Sequence, residues 1–219
     1  MTVALFWDID GTLLSTARAG IFSLEDALEQ VTGVREDLQG MATAGMTDYA
    51  IAEAAIKAVG HDADEATVLE FLRIHGEQLP AYLGRRQGRV MPNVREILTD
   101  LAPRGDVASY LLTGNTEAGA RAKLAHLGLD EFFERGGAFC VGAGSRSDIA
   151  HTALQLAPDS SAVYVIGDTP ADIACGVAIG ARTIAVATGS YTVDELASHE
   201  PWAVLAELPP PEEFRALLA

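Results

Sequence analysis

The 219-residue sequence contains very little cysteine, since Cys140 and Cys175 are the only two. They do not form a Cys-x-x-Cys pair, and two cysteines cannot supply the several disulfides of a small secreted scaffold. The sequence therefore offers no disulfide framework and no cysteine-rich metal site. We expect both thiols to lie in the core as packing residues.

Basic residues are also scarce. The 15 lysines and arginines face 31 aspartates and glutamates, which gives a formal net charge of −16 and a pI near 4.5. This charge repels phosphate backbones and no basic stripe is present, so we expect no nucleic-acid partner. No run of five or more like charges occurs, and the acidity is typical of a solvated surface.

Long hydrophobic runs are absent too. The apolar stretch near the N-terminus ends at Asp8 and follows no basic region, so it is too short for a signal peptide or a membrane span. We expect a soluble cytoplasmic protein with no membrane partner. Hydrophobic residues nevertheless make up 49% of the chain, which is ample for a core at this length.

Four short apolar runs predict buried strands. Each is nearly uninterrupted and partly β-branched or aromatic, as expected for parallel strands that are covered on both faces. They are Val3 to Trp7, Val107 to Leu112, Ala162 to Ile166 and Arg182 to Ala187. Helical patterns separate the last three, at 116–127, at 148–156 and from Pro170 onward. The sequence therefore predicts an α/β fold with a doubly wound parallel sheet.

Residues 16–89 interrupt this alternation. They give three helical patterns, near 21–31, 48–59 and 65–83, with no convincing strand between them. Glycine-containing connections flank the segment and could act as hinges. We predict a core over residues 1–15 and 90–219, with a small all-helical domain over residues 16–89 inserted after the first strand.

Polar residues follow the predicted strands. The segment Asp8-Ile9-Asp10-Gly11-Thr12 follows the first, Thr113-Gly114-Asn115 the second, and Gly167-Asp168-Thr169-Pro170-Ala171-Asp172 the third. The carboxyl ends of strands in such a sheet meet at one crevice, so these groups should share a site. Carboxylates that meet without a compensating charge repel one another, which points to a bound cation. Oxygen ligands without nearby histidine or cysteine favour Mg²⁺ over zinc.

Each segment also has a purely structural interpretation. Asp10-Gly11 could be a turn between two strands, with Asp8 a solvated strand end. Residues 113–115 could cradle a phosphate at a helix N-terminus, or could simply cap the helix. Asp172 could serve only as the acid of a capping box, whereas Asp168 precedes the cap and is the better metal ligand.

In order and spacing, these segments resemble the haloacid dehalogenase superfamily, in its phosphoglycolate phosphatase-like branch with a helical C1-type cap. Asp8-x-Asp10-Gly11-Thr12 is similar to the first motif, Thr113-Gly114-Asn115 to the second, and residues 167–172 to the fourth. The likeness spans nearly the whole chain. It implies a Rossmann-like catalytic core, a cap over residues 16–89, and a small phosphorylated metabolite as the partner of a monomer or homodimer.

The resemblance also implies a mechanism. Asp8 would attack phosphorus and form an aspartyl-phosphate, and Asp10 would protonate the leaving oxygen and later deprotonate water. Mg²⁺ would be held by Asp8, Asp168, the backbone carbonyl of Asp10 and, directly or through water, Asp172. Phosphate oxygens would be held by Thr113 and by the backbone of Gly114 or Asn115.

At the third motif, this chain departs from the pattern of the family that it resembles. That motif normally supplies a lysine, but no lysine lies between residues 124 and 168. Arg146 occupies the start of a helical segment where that lysine would be expected. Its planar guanidinium binds phosphate and carboxylate groups, so it could take the same catalytic and phosphate-binding role with different geometry. The alternative is a solvated surface arginine.

Two other functions stay open. A sugar-phosphate mutase would share all these residues, and a non-catalytic nucleotide-binding or regulatory domain would be expected to have lost Asp8 or Asp10, which are both present. Within the insertion, Gly45-Met46-Thr47-Asp48 resembles the cap loop of phosphoglycolate phosphatase-like proteins. This likeness favours a small phosphorylated acid or sugar as the substrate.

Overall fold

A computed structural model describes residues 2–218 and shows an α/β fold. The strands are β1 (Val3–Trp7), β2 (Leu14–Ser15), β3 (Arg89–Val90), β4 (Val107–Leu112), β5 (Gly137–Ala138), β6 (Ala162–Gly167), β7 (Arg182–Val186) and β8 (Ala203–Leu205). The α-helices are α1 (Ala19–Thr32), α2 (Asp48–Ala58), α3 (Glu65–Leu83), α4 (Val94–Leu101), α5 (Glu117–Leu127), α6 (Arg146–Leu154), α7 (Pro170–Ile179), α8 (Val193–Ala197) and α9 (Pro211–Ala216). In the described part of the chain, no helix combines the length and the apolar character needed to cross a membrane.

Six strands form one parallel sheet in the order β5-β4-β1-β6-β7-β8, which confirms the doubly wound α/β prediction. Successive side chains of β1 point to opposite faces, as the period of a strand requires. Ala4 and Phe6 pack into one buried cluster, and Leu5 and Trp7 pack into a second cluster on the other face. Helices cover both faces, so the central strand is buried and its reactive groups can lie only at its end.

The four predicted strands are all present, but β5 and β8 were not predicted. They contain two and three residues, which is too short for a hydrophobic pattern to identify. The predicted helix at 148–156 lies two residues earlier, because Ser145 and Asp148 form a capping box that starts α6 at Arg146. Cys140 and Cys175 are buried free thiols, as predicted.

The helices α1, α2 and α3 lie between β2 and β3 and pack against one another, where three helical patterns were predicted. The short antiparallel pairing of β2 with β3 was not predicted, and it joins Leu14 to Val90 and Ser15 to Arg89. The chain therefore enters and leaves the helical segment side by side. The domain limits at residues 15/16 and 89/90 stay a prediction.

Candidate active site

The strand register brings the predicted polar segments to one edge of the sheet. Trp7, the last residue of β1, is aligned with Leu111 of β4 and Ile166 of β6. The residues that follow these strands therefore leave the sheet at nearly the same level. This explains why Asp8 and Asp168 meet, and why Thr113 leaves the sheet at the same edge, although the three residues are far apart in the sequence.

Asp8, Asp168 and Asp172 form a buried cluster in which one carboxylate oxygen from each lies within 4.8 Å of the others. Burial, together with the charges of its neighbours Asp172 and Asp10, raises the pKa of Asp8 from 3.8 to about 7. Burial and the charge of Asp8 raise the pKa of Asp168 to about 9. Such a set of oxygen donors with excess negative charge suits a hard divalent cation.

Arg146 is the cation of this cluster. It is largely buried, donates a hydrogen bond to Asp172, and places a guanidinium nitrogen 3.5 Å from Asp8 Oδ1. Its charge lowers the pKa of Asp8 against the effect of burial. Arg146 is the first residue of α6, and its side chain lies in the site, so it is not a solvated surface arginine.

The two carboxylate oxygens of Asp172 make different contacts, which correspond to the two roles considered for it, a helix cap and a member of the acidic site. Its Oδ2 accepts hydrogen bonds from the backbone N–H of Thr169 at 3.0 Å and from the Thr169 hydroxyl at 2.7 Å, which completes a capping box at the start of α7. Its Oδ1 accepts from Arg146. The residue therefore caps a helix and also belongs to the acidic cluster.

The loop that follows β1 supports Asp168. Thr12 donates its hydroxyl proton to Asp168 Oδ1 at 3.0 Å, and the carbonyl of Gly11 accepts from the Thr188 hydroxyl at 2.6 Å. Gly11 has a φ of +88°, which glycine adopts without strain. A Cβ at Gly11 or at Gly189 would clash with the Asp168 carboxylate, so both glycines provide the space that this carboxylate occupies.

Replacing Gly189 with alanine is expected to weaken divalent-cation binding by about 10- to 100-fold, because the new methyl group must displace the Asp168 carboxylate. The matched control is Gly105→Ala, since a Cβ at Gly105 meets no atom within 4 Å. Mg²⁺ titration by calorimetry measures the effect. Equal affinity in the two variants would show that Asp168 is not needed for binding.

The Thr113-Gly114-Asn115 segment lies beside Asp10. The hydroxyl of buried Thr113 accepts hydrogen bonds from Asn115 Nδ2 at 2.8 Å and from the Asn115 backbone N–H at 3.3 Å. The next backbone N–H, that of Thr116, donates to Asp48 Oδ2 at 2.7 Å. The backbone N–H groups of Asn115 and Thr116 are thus already used inside the protein, so within residues 2–218 the N–H of Gly114, which lines the cavity described below, is the remaining backbone donor of the segment.

Lys123 is a site residue that the sequence analysis did not identify. It lies on α5, is 7% exposed, and donates to Asp10 Oδ2 and to Asn115 Oδ1, each at 2.5 Å. Partial burial alone would raise the pKa of Asp10, but the charge and hydrogen bond of Lys123 lower it below its ordinary value. A signal was present in the sequence, because a lysine next to Leu124 and three residues after Ala120 falls on the buried side of the helix.

The helical segment contacts the core through the start of α2. The Asp48 N–H donates to the carbonyl of Gly114 at 2.7 Å, while the Asp48 carboxylate accepts from the Thr116 N–H. A Cβ at Gly114 would meet the Met46 carbonyl and Thr47, so the absence of a side chain permits this close approach. The contact holds residues 46–48 directly above the candidate phosphate-binding segment.

A cavity of about 670 Å³ lies between the helical segment and the acidic cluster. Asp8, Asp10 and Asp168 line it. It is also lined by residues 41–46 and by Arg18, whose guanidinium donates to the Gln39 carbonyl at 2.5 Å. Its size is within the range of small-molecule sites.

His75 on α3 also lines this cavity and is buried. Burial and the nearby charge of Lys123 lower the pKa of His75 to about 3, so its ring is neutral at physiological pH. The side chain therefore adds a neutral polar group to the wall, without a positive charge.

Comparison with known proteins adds independent evidence. A family model described as haloacid dehalogenase-like hydrolase matches residues 5–176, and a second, described as HAD-hydrolase-like, matches residues 145–209. The protein named probable phosphatase IndB, from Dickeya dadantii, is 26% identical over 210 residues, which cover 94% of this chain and 90% of that protein.

Two further proteins are similar to this chain, one in sequence and one in structure. Tyrosine-protein kinase PtkA from Mycobacterium tuberculosis is 28% identical over 193 residues, which cover 87% of this chain and 64% of that protein. The crystal structure of a predicted phosphatase from Clostridium acetobutylicum aligns with a TM-score of 0.74 at 17% identity, over 99% of this chain and 98% of that one. The structural likeness at this identity establishes the fold alone.

Proposed function

Because the chain belongs to the haloacid dehalogenase-like hydrolase family, we propose that it is a Mg²⁺-dependent phosphatase that acts on a small phosphorylated metabolite. The observation that carries the proposal is the convergence of Asp8, Asp168 and Asp172 beside Arg146, next to a cavity that Asp8, Asp10 and Asp168 line. Such a buried site provides a nucleophile, an acid–base group and a cation site within one small volume.

The acidic cluster supports a resident Mg²⁺ ion. Three buried carboxylates are balanced by only one adjacent arginine among the described residues, and burial together with this excess charge raises the pKa values of Asp8 and Asp168. Asp8, Asp168 and the Asp10 carbonyl would be ligands, and Asp172 would support them directly or through water. When bound, the ion would neutralise negative charge on the phosphoryl group and help to orient it.

Asp8 is the proposed nucleophile. Its carboxylate oxygen forms a bond to phosphorus as the bond between phosphorus and the ester oxygen breaks, which leaves an aspartyl-phosphate. Asp10, two residues further on, enters this half-reaction with the proton that it took from water in the previous turnover, and donates it to the departing oxygen. In the second half-reaction Asp10 takes a proton from water, whose oxygen attacks phosphorus and releases phosphate, so that Asp8 is regenerated.

The proposed phosphate-binding residues lie at the edge of the sheet where Asp8 follows β1. They are Thr113, with the backbone of Gly114 or Asn115, and Arg146, whose guanidinium lies 3.5 Å from Asp8. They would hold the non-bridging oxygens while the phosphoryl group moves from one oxygen to the other. A Cβ at Gly114 would also meet an Arg146 nitrogen, which places these two groups side by side.

The proposed substrate is a small phosphorylated acid or sugar, as in phosphoglycolate phosphatase-like proteins. The cavity volume accommodates such a molecule, and Arg18 supplies a cation on the cavity wall. Residues 16–89 would then act as the cap that selects the substrate. Core residues 1–15 and 90–219 would carry out the chemistry.

Phosphate release from a panel of small phosphoesters tests this function. The panel contains phosphoglycolate, sugar phosphates and nucleoside monophosphates, each assayed with Mg²⁺ and with a chelator. Release that requires Mg²⁺ supports the proposal. Conversion of one sugar phosphate to its isomer without phosphate release would instead identify a mutase, and the absence of turnover with any compound would favour a ligand-binding protein.

Metal removal is expected to destabilise the protein more as the pH rises. Between about pH 4 and 7, folded Asp8 and Asp168 hold protons that the unfolded chain has lost, and for Asp168 this extends to about pH 9. The free energy of unfolding of the metal-free protein therefore falls as pH increases through this window. Mg²⁺ binds the deprotonated carboxylates and offsets the loss, so its stabilisation should increase with pH.

The measurement is the difference in Tm between excess Mg²⁺ and excess chelator at pH 6, 7 and 8. For a chain of this size, each kcal/mol corresponds to about 2–4 °C. Asp168→Asn is the control and should remove most of the difference. A difference that does not change with pH would contradict the assignment of these carboxylates as the cation site.

A further inference from the structure

Lys123 is unusual because its charged group is buried. Only 7% of the residue is exposed, whereas 60% of the side chain of Lys57, the other lysine in the sequence, is exposed. Burial of an ammonium group is costly unless other groups compensate for the lost water. The position of Lys123 therefore depends on the partners that it finds inside the protein.

These partners form a closed triangle of side chains. Lys123 Nζ donates to Asp10 Oδ2 and to Asn115 Oδ1, each at 2.5 Å, and Asn115 Nδ2 donates to Asp10 Oδ2 at 2.9 Å. Each of the three side chains therefore contacts the other two. Asn115 is held in turn by Thr113, so the triangle is anchored to the end of β4.

The triangle fixes one oxygen of Asp10. Both hydrogen bonds that the described residues make to the Asp10 carboxylate end on Oδ2, while 43% of the side chain is exposed and the residue lines the cavity. Rotation about the bond to the carboxylate would break both contacts. Oδ1 is therefore presented to the cavity in one orientation.

The two buried cations contact different carboxylates of the site. Arg146 contacts Asp8 and Asp172, and Lys123 contacts Asp10. Without Lys123, the charge of Asp10 would be opposed only by more distant groups and would repel Asp8 two residues away. Because Asp10 has its own cation, the charge of this acid–base group is balanced separately from the charge of the metal-binding cluster.

We propose that Lys123 is a positioning residue. It holds the Asp10 carboxyl group, both directly and through Asn115, so that Oδ1 faces the leaving oxygen of the substrate. The inference rests on the proposed phosphatase function. Lys123 acts on Asp10 and does not bind the phosphoryl group. The competing interpretation is that Lys123, which also lines the cavity, contacts an anionic part of the substrate.

The kinetic test compares Lys123→Met, Asp10→Asn and the double variant with wild type. Lys57→Met is the matched control, because it removes the exposed lysine and leaves the cavity unchanged. The substrates are para-nitrophenyl phosphate, whose leaving group needs little protonation, and the fastest alkyl phosphate of the panel. We expect Lys123→Met to lower kcat/KM by about 100-fold for the alkyl ester and by about tenfold or less for the aryl ester.

The double variant separates positioning from substrate binding. If Lys123 acts through Asp10, adding Lys123→Met to Asp10→Asn should change kcat/KM by less than about twofold. The double variant also retains neither charge of the Lys123–Asp10 pair, so it controls for misfolding caused by an unpaired partner. An equal loss for both esters, or a full additional loss in the Asp10→Asn background, would overturn the proposal.

A second measurement does not require turnover. In Lys57→Met, ¹⁵N-lysine labelling leaves one lysine, so the Nζ signal in an NMR spectrum belongs to Lys123. Adding Asp10→Asn should shift this signal and speed the exchange of its protons with water. An unchanged signal would refute the contact. If wild type releases no phosphate from any ester, the proposed function fails, while this spectrum still decides whether Lys123 holds Asp10.

Discussion

Replacing Asp8 with asparagine is expected to abolish phosphate release, with a loss in kcat on the order of 10⁴-fold or more. The amide has nearly the same shape as the carboxylate but cannot attack phosphorus. Asp8 directly follows the central strand, and one of its carboxylate oxygens lies within 4.8 Å of an oxygen of Asp168 and of Asp172, so the substitution falls inside the acidic cluster. The measurement is Mg²⁺-dependent phosphate release, with exposed Asp62→Asn as the matched control.

The loss of activity should occur without loss of folding. The pKa of Asp8 is raised to about 7, so at pH 8 the ionised carboxylate destabilises the metal-free protein. A neutral asparagine removes this repulsion, and the Tm in chelator should be no lower than that of wild type. Mass spectrometry after an acid quench should find a phosphoryl group on Asp8 of wild type only. Substantial turnover by Asp8→Asn would exclude Asp8 as the nucleophile.

Replacing Arg146 with methionine has the second largest expected effect. The substitution leaves three carboxylates without their adjacent cation, because the guanidinium contacts Asp172 and lies 3.5 Å from Asp8. We expect kcat/KM to fall by about 10²–10³-fold through loss of phosphate binding and charge balance. The metal-free protein should lose about 3–5 kcal/mol of stability, as is typical when one partner of a buried ion pair is removed.

Two further variants determine what Arg146 contributes. Arg146→Lys restores the residue that the resembled family usually has, and should recover part of the activity if charge alone matters. Arg121→Met removes an exposed arginine from α5 and is the matched control. The pKa of Asp8 should rise in Arg146→Met, which moves the acid limb of the pH–rate profile to higher pH. A variant that loses stability but keeps wild-type kcat/KM would limit Arg146 to a structural role.

Much of the fold could be predicted because it depends on local patterns. The strand at Val3–Trp7 is a continuous apolar run, and the helix at Glu65–Leu83 was predicted at its observed bounds. The two shortest strands of the sheet, Gly137–Ala138 and Ala203–Leu205, were missed. They exist because neighbouring strands supply hydrogen bonds at the sheet edges, which is a tertiary effect and leaves no periodic signal in two or three residues.

The candidate site was predicted as a set of residues but not as a set of contacts. Asp8, Asp10, Asp168 and Asp172 were identified because strand ends in a doubly wound sheet converge. Arg146 was proposed to take the place of the missing lysine, and in the structure its guanidinium lies beside Asp8 and Asp172. Their roles in catalysis stay predictions that the variants above test.

The sequence by itself determined which chemistry the chain can carry, because oxygen donors directly after buried strands are a local property of the chain. Only the tertiary structure decided which cationic side chain contacts which carboxylate. Lys123 reaches Asp10 across 113 positions of sequence, and Asp48 reaches Thr116 across 68. Such pairings depend on the strand register and on how the helices pack over the sheet, and these follow from burial of side chains throughout the core, which no single segment contains.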